Sequence, residues 1–391
     1  ILEAKLVSYL FLQKMQKIVF LMPHDGIVSS GGYKVVYEYA NRFAKDGFSV
    51  SIVYPNTKRS HSVTLKSKLR DFARYVVRSI NKGYRSKWFN LDKRIRLKWV
   101  WSLDSYRAYK DTCIIATAVE TAYSLKDFPS YIRKFYFIQG YENWFFSDQK
   151  VLASYSFPMT KIVIARWLQR IVFPYDSEVR LVQNGFDFNS FSCIKSLKDR
   201  NKYSVICMYH IDELKGLDVT FRAFERVYSI LPQIKVTFFS VYDKPNNLPK
   251  YCSFIKQPKI STLNDLYNEA AIYVGGSYEE GWGLTVGEAM QCGCAVVCTE
   301  NKGYLEMAHN GETALTSPVG DDLALANNII RLINDNNLQD YLLSGEVGAA
   351  FMYTSQVTQA IKANPDLKVV YPKEGLGFGV MGSFIPSNAP N

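Results

Sequence analysis

The 391-residue chain has no run of about eighteen uncharged apolar residues, so no membrane-spanning helix is expected. Its seven cysteines are scattered and odd in number, which excludes a secreted disulfide framework and suits thiols kept reduced, as in a cytosol. Cys292, Cys294 and Cys298 come closest to a metal-ligand set. Their C-x-C-x-x-x-C spacing has no histidine nearby, so they read as small packing residues and no metal is expected. P-loop, H-E-x-x-H and G-x-S-x-G strings are all missing. Apolar residues make up 48% and charged residues 21%, which excludes wholesale disorder. The opening segment ILEAKLVSYLFLQK lacks the charge order and cleavage site of a signal peptide. Met15 stands just ahead of the strand-like KIVFLM, and residues 1–14 read as an upstream extension.

The net positive charge lies in one place. Residues 56–110 hold 8 Lys and 8 Arg against 3 Asp, a local balance of +13 where the whole chain carries +11. Trp88, Phe89, Trp99 and Trp101 stand among these cations. Such a patch suits an anionic membrane leaflet, phosphorylated substrates or nucleic acid, or it is a solvated face. Nucleic acid is disfavoured because no RNP, helix-turn-helix or zinc motif accompanies the patch.

The apolar pattern opens as strand, glycine loop, helix, strand. Lys17–Met22 is a buried strand, a Gly/Ser-rich loop runs through Gly31-Gly32, and Val35, Val36, Tyr39, Ala40, Phe43 and Ala44 recur at helical spacing. Phe48–Ile52 follows as a second strand. Further strands are expected at Thr112–Ala116, Lys134–Ile138, Lys161–Ile164 and Val179–Val182. A second series begins at Ser204–Met208. It continues with a helix at Leu217–Ile230, strands at Ile234–Ser240, Ala271–Val274 and Ala295–Cys298, and helices at Leu263–Glu269, Gly283–Cys292 and Asp321–Asn334.

The expected fold class is therefore α/β, with two doubly wound parallel-sheet domains of Rossmann type facing a cleft. Their expected bounds are 15–183 and 204–344, with 184–203 as a polar linker. Residues 345–391 change style, with six Gly and four Pro in 47 residues, and read as an atypical tail.

The densest signal is residues 277–297, SYEEGWGLTVGEAMQCGCAVV. A strand end delivers carboxylates and a glycine turn opens directly into a helix. Gly281 and Gly283 allow close backbone approach. The free N–H groups near Leu284 and Thr285 sit at the positive helix end and suit a phosphate. Glu288, one turn inside the helix, could accept from a ribose diol, and Glu280 would face another part of the same ligand. A sugar nucleotide presents these groups in this order. The bland alternative makes Glu288 an exposed helix carboxylate.

This string resembles the glycosyltransferases of family 4, with their E-G-(F/W)-G-x4-E-A-M-x2-G-x-P-V-V hallmark. Glu280, Gly281, Trp282, Gly283, Glu288, Ala289, Met290 and Gly293 match it, and Ala295 stands where Pro is usual. The resemblance spans about residues 15–344. It implies the GT-B fold, a nucleotide diphosphate sugar donor without a cofactor, transfer to a hydroxyl acceptor with retention, and a glycan or lipid-linked acceptor. It places Glu280 at the transferred sugar and Glu288 at the ribose. Gly31-Gly32 match the loop that approaches the donor phosphates, and Asn184-Gly185-Phe186-Asp187 the N-G-V/I-D crossover motif. His210-x4-Lys215-Gly216 aligns with the usual Arg-x4-Lys-Gly that holds the diphosphate. Lys215 is retained as a point charge. His210 replaces the arginine, giving up a bidentate clamp for one hydrogen bond or a protonated ring.

Gln139, Glu142 and Arg166 follow strand ends of the first domain and are candidates for acceptor or donor contacts. Residues 346–391 resemble a C-terminal fragment of polyamine-binding periplasmic proteins, which implies a chimeric chain lacking the usual closing helix. The rival readings are a sugar-nucleotide epimerase of the same fold, a basic nucleic-acid-binding protein and, from the tail, a polyamine binder. Expected localisation is cytoplasmic, peripheral on the inner face of the membrane through 56–110.

Overall fold

The computed structural model describes residues 17–334 except 25, 27–28, 57–71, 74, 78–85 and 87, together with three strands between 350 and 386. The chain divides into two units, with the boundary between Asn184 and Gly185. Residues 1–14 and most of the basic segment 57–87 lie outside the described residues.

The first unit contains β1 (Lys17–Leu21), α1 (Gly31–Lys45), β2 (Ser49–Pro55), β3 (Arg96–Val100), β4 (Thr112–Ala116), α2 (Val119–Leu125), β5 (Arg133–Ile138), α3 (Asp148–Ser154), β6 (Thr160–Val163), α4 (Arg166–Val172) and β7 (Arg180–Leu181). Its strands form one parallel sheet in the order β3-β2-β1-β4-β5-β6-β7. This is the strand order of a doubly wound nucleotide-binding sheet. Gly31 and Gly32 are the first two residues of α1 rather than part of the loop before it. Ser30 is the N-cap, its Oγ accepting from the Tyr33 N–H. Val36, Tyr37, Ala40 and Ala44 bury one face of α1, and Gly47 at φ +93° lets the chain turn into β2.

Three of the four aromatic residues in the basic stretch are packed within the unit. Trp88 stacks on Tyr37 at 5.6 Å and donates its indole N–H to the Gly26 carbonyl, Phe89 lies 5.3 Å from Tyr37, and Trp99 stacks on Tyr54 at 4.9 Å. Trp101 is the exposed one.

The second unit contains β8 (Ser204–Met208), α5 (Leu217–Ile230), β9 (Lys235–Ser240), β10 (Cys252–Lys256), α6 (Ile260–Glu269), β11 (Ile272–Gly275), α7 (Leu284–Gln291), β12 (Ala295–Thr299), β13 (Leu315–Ser317) and α8 (Asp322–Asn334). The sheet is again all parallel, in the order β10-β9-β8-β11-β12-β13. Successive side chains of β8 face opposite layers, as strand geometry requires. Val205 and Cys207 pack with Val219, Phe224 and Leu325, under α5 and α8. Ile206 packs with Tyr267, Tyr273 and Val286, under α6 and α7. Both faces are covered, so the strands read as continuous apolar runs.

The expected linker is folded onto the second unit. Phe191 belongs to its core, and the buried Arg200 guanidinium donates to the carbonyls of Lys195, Tyr267, Ala270 and Cys292. Cys292, Cys294 and Cys298 are buried in the same core, and among the described residues no cluster could hold a metal ion. Of the tail, the backbones of β14 (Ala350–Tyr353), β15 (Leu367–Val370) and β16 (Met381–Pro386) form an antiparallel sheet in the order β14-β16-β15. No helix among the described residues is long and apolar enough to cross a membrane.

Candidate functional site

The site of the second unit is built where β8 and β11 end. After β8 the chain makes a short turn capped by Asp212, whose carboxylate accepts from the Leu214 N–H at 3.0 Å. Gly216 follows at φ +57°, and a Cβ there would lie 2.0 Å from the Gly276 carbonyl oxygen. Only glycine permits that left-handed, close-packed corner. The Tyr278 N–H donates to the Leu214 carbonyl at 2.8 Å, tying the two strand ends together.

This lacing sets Lys215 against Glu280. The Lys215 ammonium lies 2.8 Å from Glu280 Oε1, with both side chains mostly shielded from solvent. The same oxygen accepts from Ser277 Oγ at 2.9 Å. Ser277 is held through its carbonyl by Thr299 and Asn301, and its hydroxyl is 3.0 Å from the Tyr304 hydroxyl.

His210 stands at the same edge. Its Nδ1 accepts from the Asp212 N–H at 3.0 Å, which leaves the proton of the neutral ring on Nε2, 3.3 Å from the Tyr242 hydroxyl. Burial and the neighbouring Lys215 cation push the imidazole below its ordinary value of 6.5. With Nδ1 accepting, the neutral ring offers one N–H donor, at Nε2.

Beyond Glu280 the chain turns through Gly281, the buried Trp282 and Gly283 into α7. Gly283 has φ +94°, and a Cβ there would lie 2.6 Å from the Tyr304 ring. Leu284 and Thr285 open the helix half-buried, and Thr285 Oγ1 accepts from the Tyr273 hydroxyl at 2.7 Å. Glu288 is 6% exposed and accepts from the Tyr267 hydroxyl at 3.4 Å. That burial overturns the alternative of an exposed surface carboxylate.

The first unit carries a separate cluster. Gly32 packs against Gln139, whose Nε2 would lie 3.5 Å from a Cβ there. Gln139 Oε1 is buried with no hydrogen-bond partner among the described residues. Glu142 accepts from the Val119 N–H at 2.7 Å, and burial, only partly offset by that bond, raises its carboxyl to about 7. Arg166 is the exposed first residue of α4. The structure thus brings Gly32 and Gln139 together, while Glu142 is engaged at the start of α2.

Sequence reading missed Ser277, Tyr304, Tyr267 and Tyr242. Ser277 lies inside the glutamate string, but tyrosines at such separations carry no local signal.

Comparison with known proteins bears on this unit first. Residues 192–344 match the family model of glycosyl transferases group 1. The matched segment contains His210, Lys215, Glu280 and Glu288 and all of the turn between the two glutamates. The capsular polysaccharide biosynthesis glycosyltransferase CapM of Staphylococcus aureus is 25% identical over 134 residues, 32% of this chain and 35% of CapM. The match thus spans about a third of that relative's length. Among solved structures, Anabaena Alr3699/HepE in complex with UDP-glucose superposes with a TM-score of 0.60 at 15% identity, covering 82% of this chain and 90% of that one. TarM of S. aureus, solved with fondaparinux, α-GlcNAc-glycerol and UDP, gives 0.62 at 11% identity, covering 90% and 97%. The fold class is that of these GT-B glycosyltransferases: two Rossmann-like parallel-sheet domains with helices.

Proposed function

We propose that the chain is a retaining glycosyltransferase of family 4 that moves a sugar from a nucleotide diphosphate sugar to a hydroxyl acceptor. The observation that carries this reading is the placement of Lys215–Glu280 and the buried Glu288 on either side of a glycine turn that opens α7. Glu288 accepts from the ribose diol. The N–H groups at Leu284 and Thr285, the Lys215 ammonium and the His210 Nε2–H address the diphosphate. Lys215 then exchanges Glu280 for the phosphate oxygens and stabilises the negative charge that builds on the departing nucleotide. Glu280, still held by Ser277, faces the transferred sugar. By the same resemblance Gly31 and Gly32 are assigned to the donor, and Gln139, Glu142 and Arg166 to acceptor or donor contacts.

The ligands bound to the structural relatives, UDP-glucose, UDP and α-GlcNAc-glycerol, support a uridine nucleotide donor and a glycan or lipid-linked acceptor. The similarity to CapM supports a place in cell-surface polysaccharide synthesis. We assign the protein to the cytoplasm, on the inner membrane face through the basic residues 56–110. Flotation with anionic liposomes that falls with salt tests this, and salt-independent recovery of free protein contradicts it. Residues 346–391 are read as a foreign tail. The donor assignment is tested by thermal-shift screening against UDP, GDP, dTDP and ADP and their sugars. Stabilisation by one nucleotide family supports it, and none across the panel refutes it.

A further inference from the structure

We propose that Tyr304 is the positioning residue of this site, acting on Glu280 through Ser277; the proposal rests on the transferase reading above. Glu280 Oε1 accepts from both Lys215 and the Ser277 hydroxyl. A carboxylate has no proton to give, so the Ser277 hydroxyl must donate toward Glu280. Ser277 Oγ is then free only to accept, and the Tyr304 hydroxyl 3.0 Å away must be its donor. One end of the chain fixes the direction of every bond in it, from Tyr304 to Ser277 to Glu280. Tyr304 is 1% exposed and Ser277 2%, so both bonds are made out of water, where a lost partner is not replaced.

The ring performs a second task. It lies within 3.0 Å of where a Cβ on Gly275 would stand, and within 2.6 Å of one on Gly283. It therefore fills the space between the end of β11 and the residue that opens α7. Tyr304 is itself held by Asn301, whose side-chain carbonyl accepts from the Tyr304 N–H at 3.0 Å while its amide reaches the Ser277 carbonyl. One side chain thus sets both the sugar-facing carboxylate and the backbone donors intended for the diphosphate. At 1% exposure it acts through those groups.

The hydroxyl and the ring are separable. Tyr304→Phe keeps the ring and the packing, and Ser277→Ala cuts the same chain one bond nearer Glu280. Steady-state nucleotide release from the donor that binds the wild type is measured with melting temperature for wild type, both variants and the double variant. Losing one buried bond in the chain is expected to lower kcat about fivefold in Tyr304→Phe, with the inhibition constant of the nucleoside diphosphate product unchanged because Glu288 is untouched. The double variant is expected to be no slower than Ser277→Ala, since both act through one path. A Tyr304→Phe kcat within twofold of wild type overturns the proposal. So does a loss in which that inhibition constant, kcat and melting temperature move together, which would make Tyr304 structural only. A wild type that neither binds nor cleaves any donor sinks the transferase reading, and this proposal with it, before any variant is compared.

Discussion

The Lys215 ammonium and the Glu280 carboxylate, 65 residues apart in sequence, meet at 2.8 Å between the ends of two adjacent strands. In the proposed reaction the donor phosphates take the place of Glu280 beside the Lys215 cation; without them the two charges neutralise one another. Removing either leaves the other partly buried without its main partner. Lys215→Ala is expected to cut turnover by about a hundredfold, the usual scale for losing a donor to a developing oxyanion. A double-mutant cycle with Glu280→Gln, read by denaturant melting, is expected to show a coupling of about 0.5–3 kcal/mol. Strict additivity would contradict the pairing.

Glu142 gives a dependence on pH with a definite sign. Its folded-state carboxyl is raised from 4.5 to about 7 by burial, so the folded chain holds a proton that the unfolded chain releases. The resulting stabilisation is full below about 4.5 and is lost as pH rises through 7. Glu142→Gln keeps an oxygen for the Val119 N–H but cannot ionise. The melting temperature of the variant relative to wild type is expected to rise between pH 5 and pH 8. A constant difference would rule out this titration.

His210 works in the opposite direction. Its folded-state value lies below 6.5, so the unfolded chain takes the proton more readily. Its contribution to stability is complete above 6.5 and falls away on acidification below it. Proton NMR of the imidazole is expected to show a midpoint below that of a free histidine, and a midpoint above it would refute the neutral-donor role. His210→Asn, which preserves one N–H donor, is expected to retain more activity than His210→Ala.

Gly216 tests the corner that carries Lys215. Any side chain there meets the Gly276 carbonyl in a left-handed backbone conformation. Gly216→Ala is expected to cost more than about 2 kcal/mol, beyond the ordinary effect of a glycine replacement. A melting curve matching wild type would show that the corner has slack.

Legibility in the sequence followed local signal. The buried strands Thr112–Ala116 and Ser204–Met208 and the helix Leu217–Ile230 agree with the pattern residue for residue, because their apolar runs or stripes are uninterrupted. The strand Arg96–Val100 was hidden by charges alternating along an edge position, and Leu315–Ser317 by its length of three residues. The helices at 119–125, 148–154 and 166–172 have two turns each, too few for a period of 3.6 to declare itself. Within the site, the glutamate string was readable because its parts are contiguous. Its partnership with Lys215, the burial of Glu288 beneath Tyr267 and the placement of Tyr304 exist only once β8, β11 and β12 lie side by side.

If the two glutamates grip different parts of one donor, calorimetric titration of nucleoside diphosphate and nucleotide sugar separates them. Glu288→Ala is expected to weaken both ligands by about ten- to a hundredfold, the scale of a hydrogen bond to a charged group. Glu280→Gln is expected to bind the nucleoside diphosphate like wild type and to lose only the added affinity of the sugar. Equal losses of both ligands in both variants, or wild-type binding in both, would contradict the account.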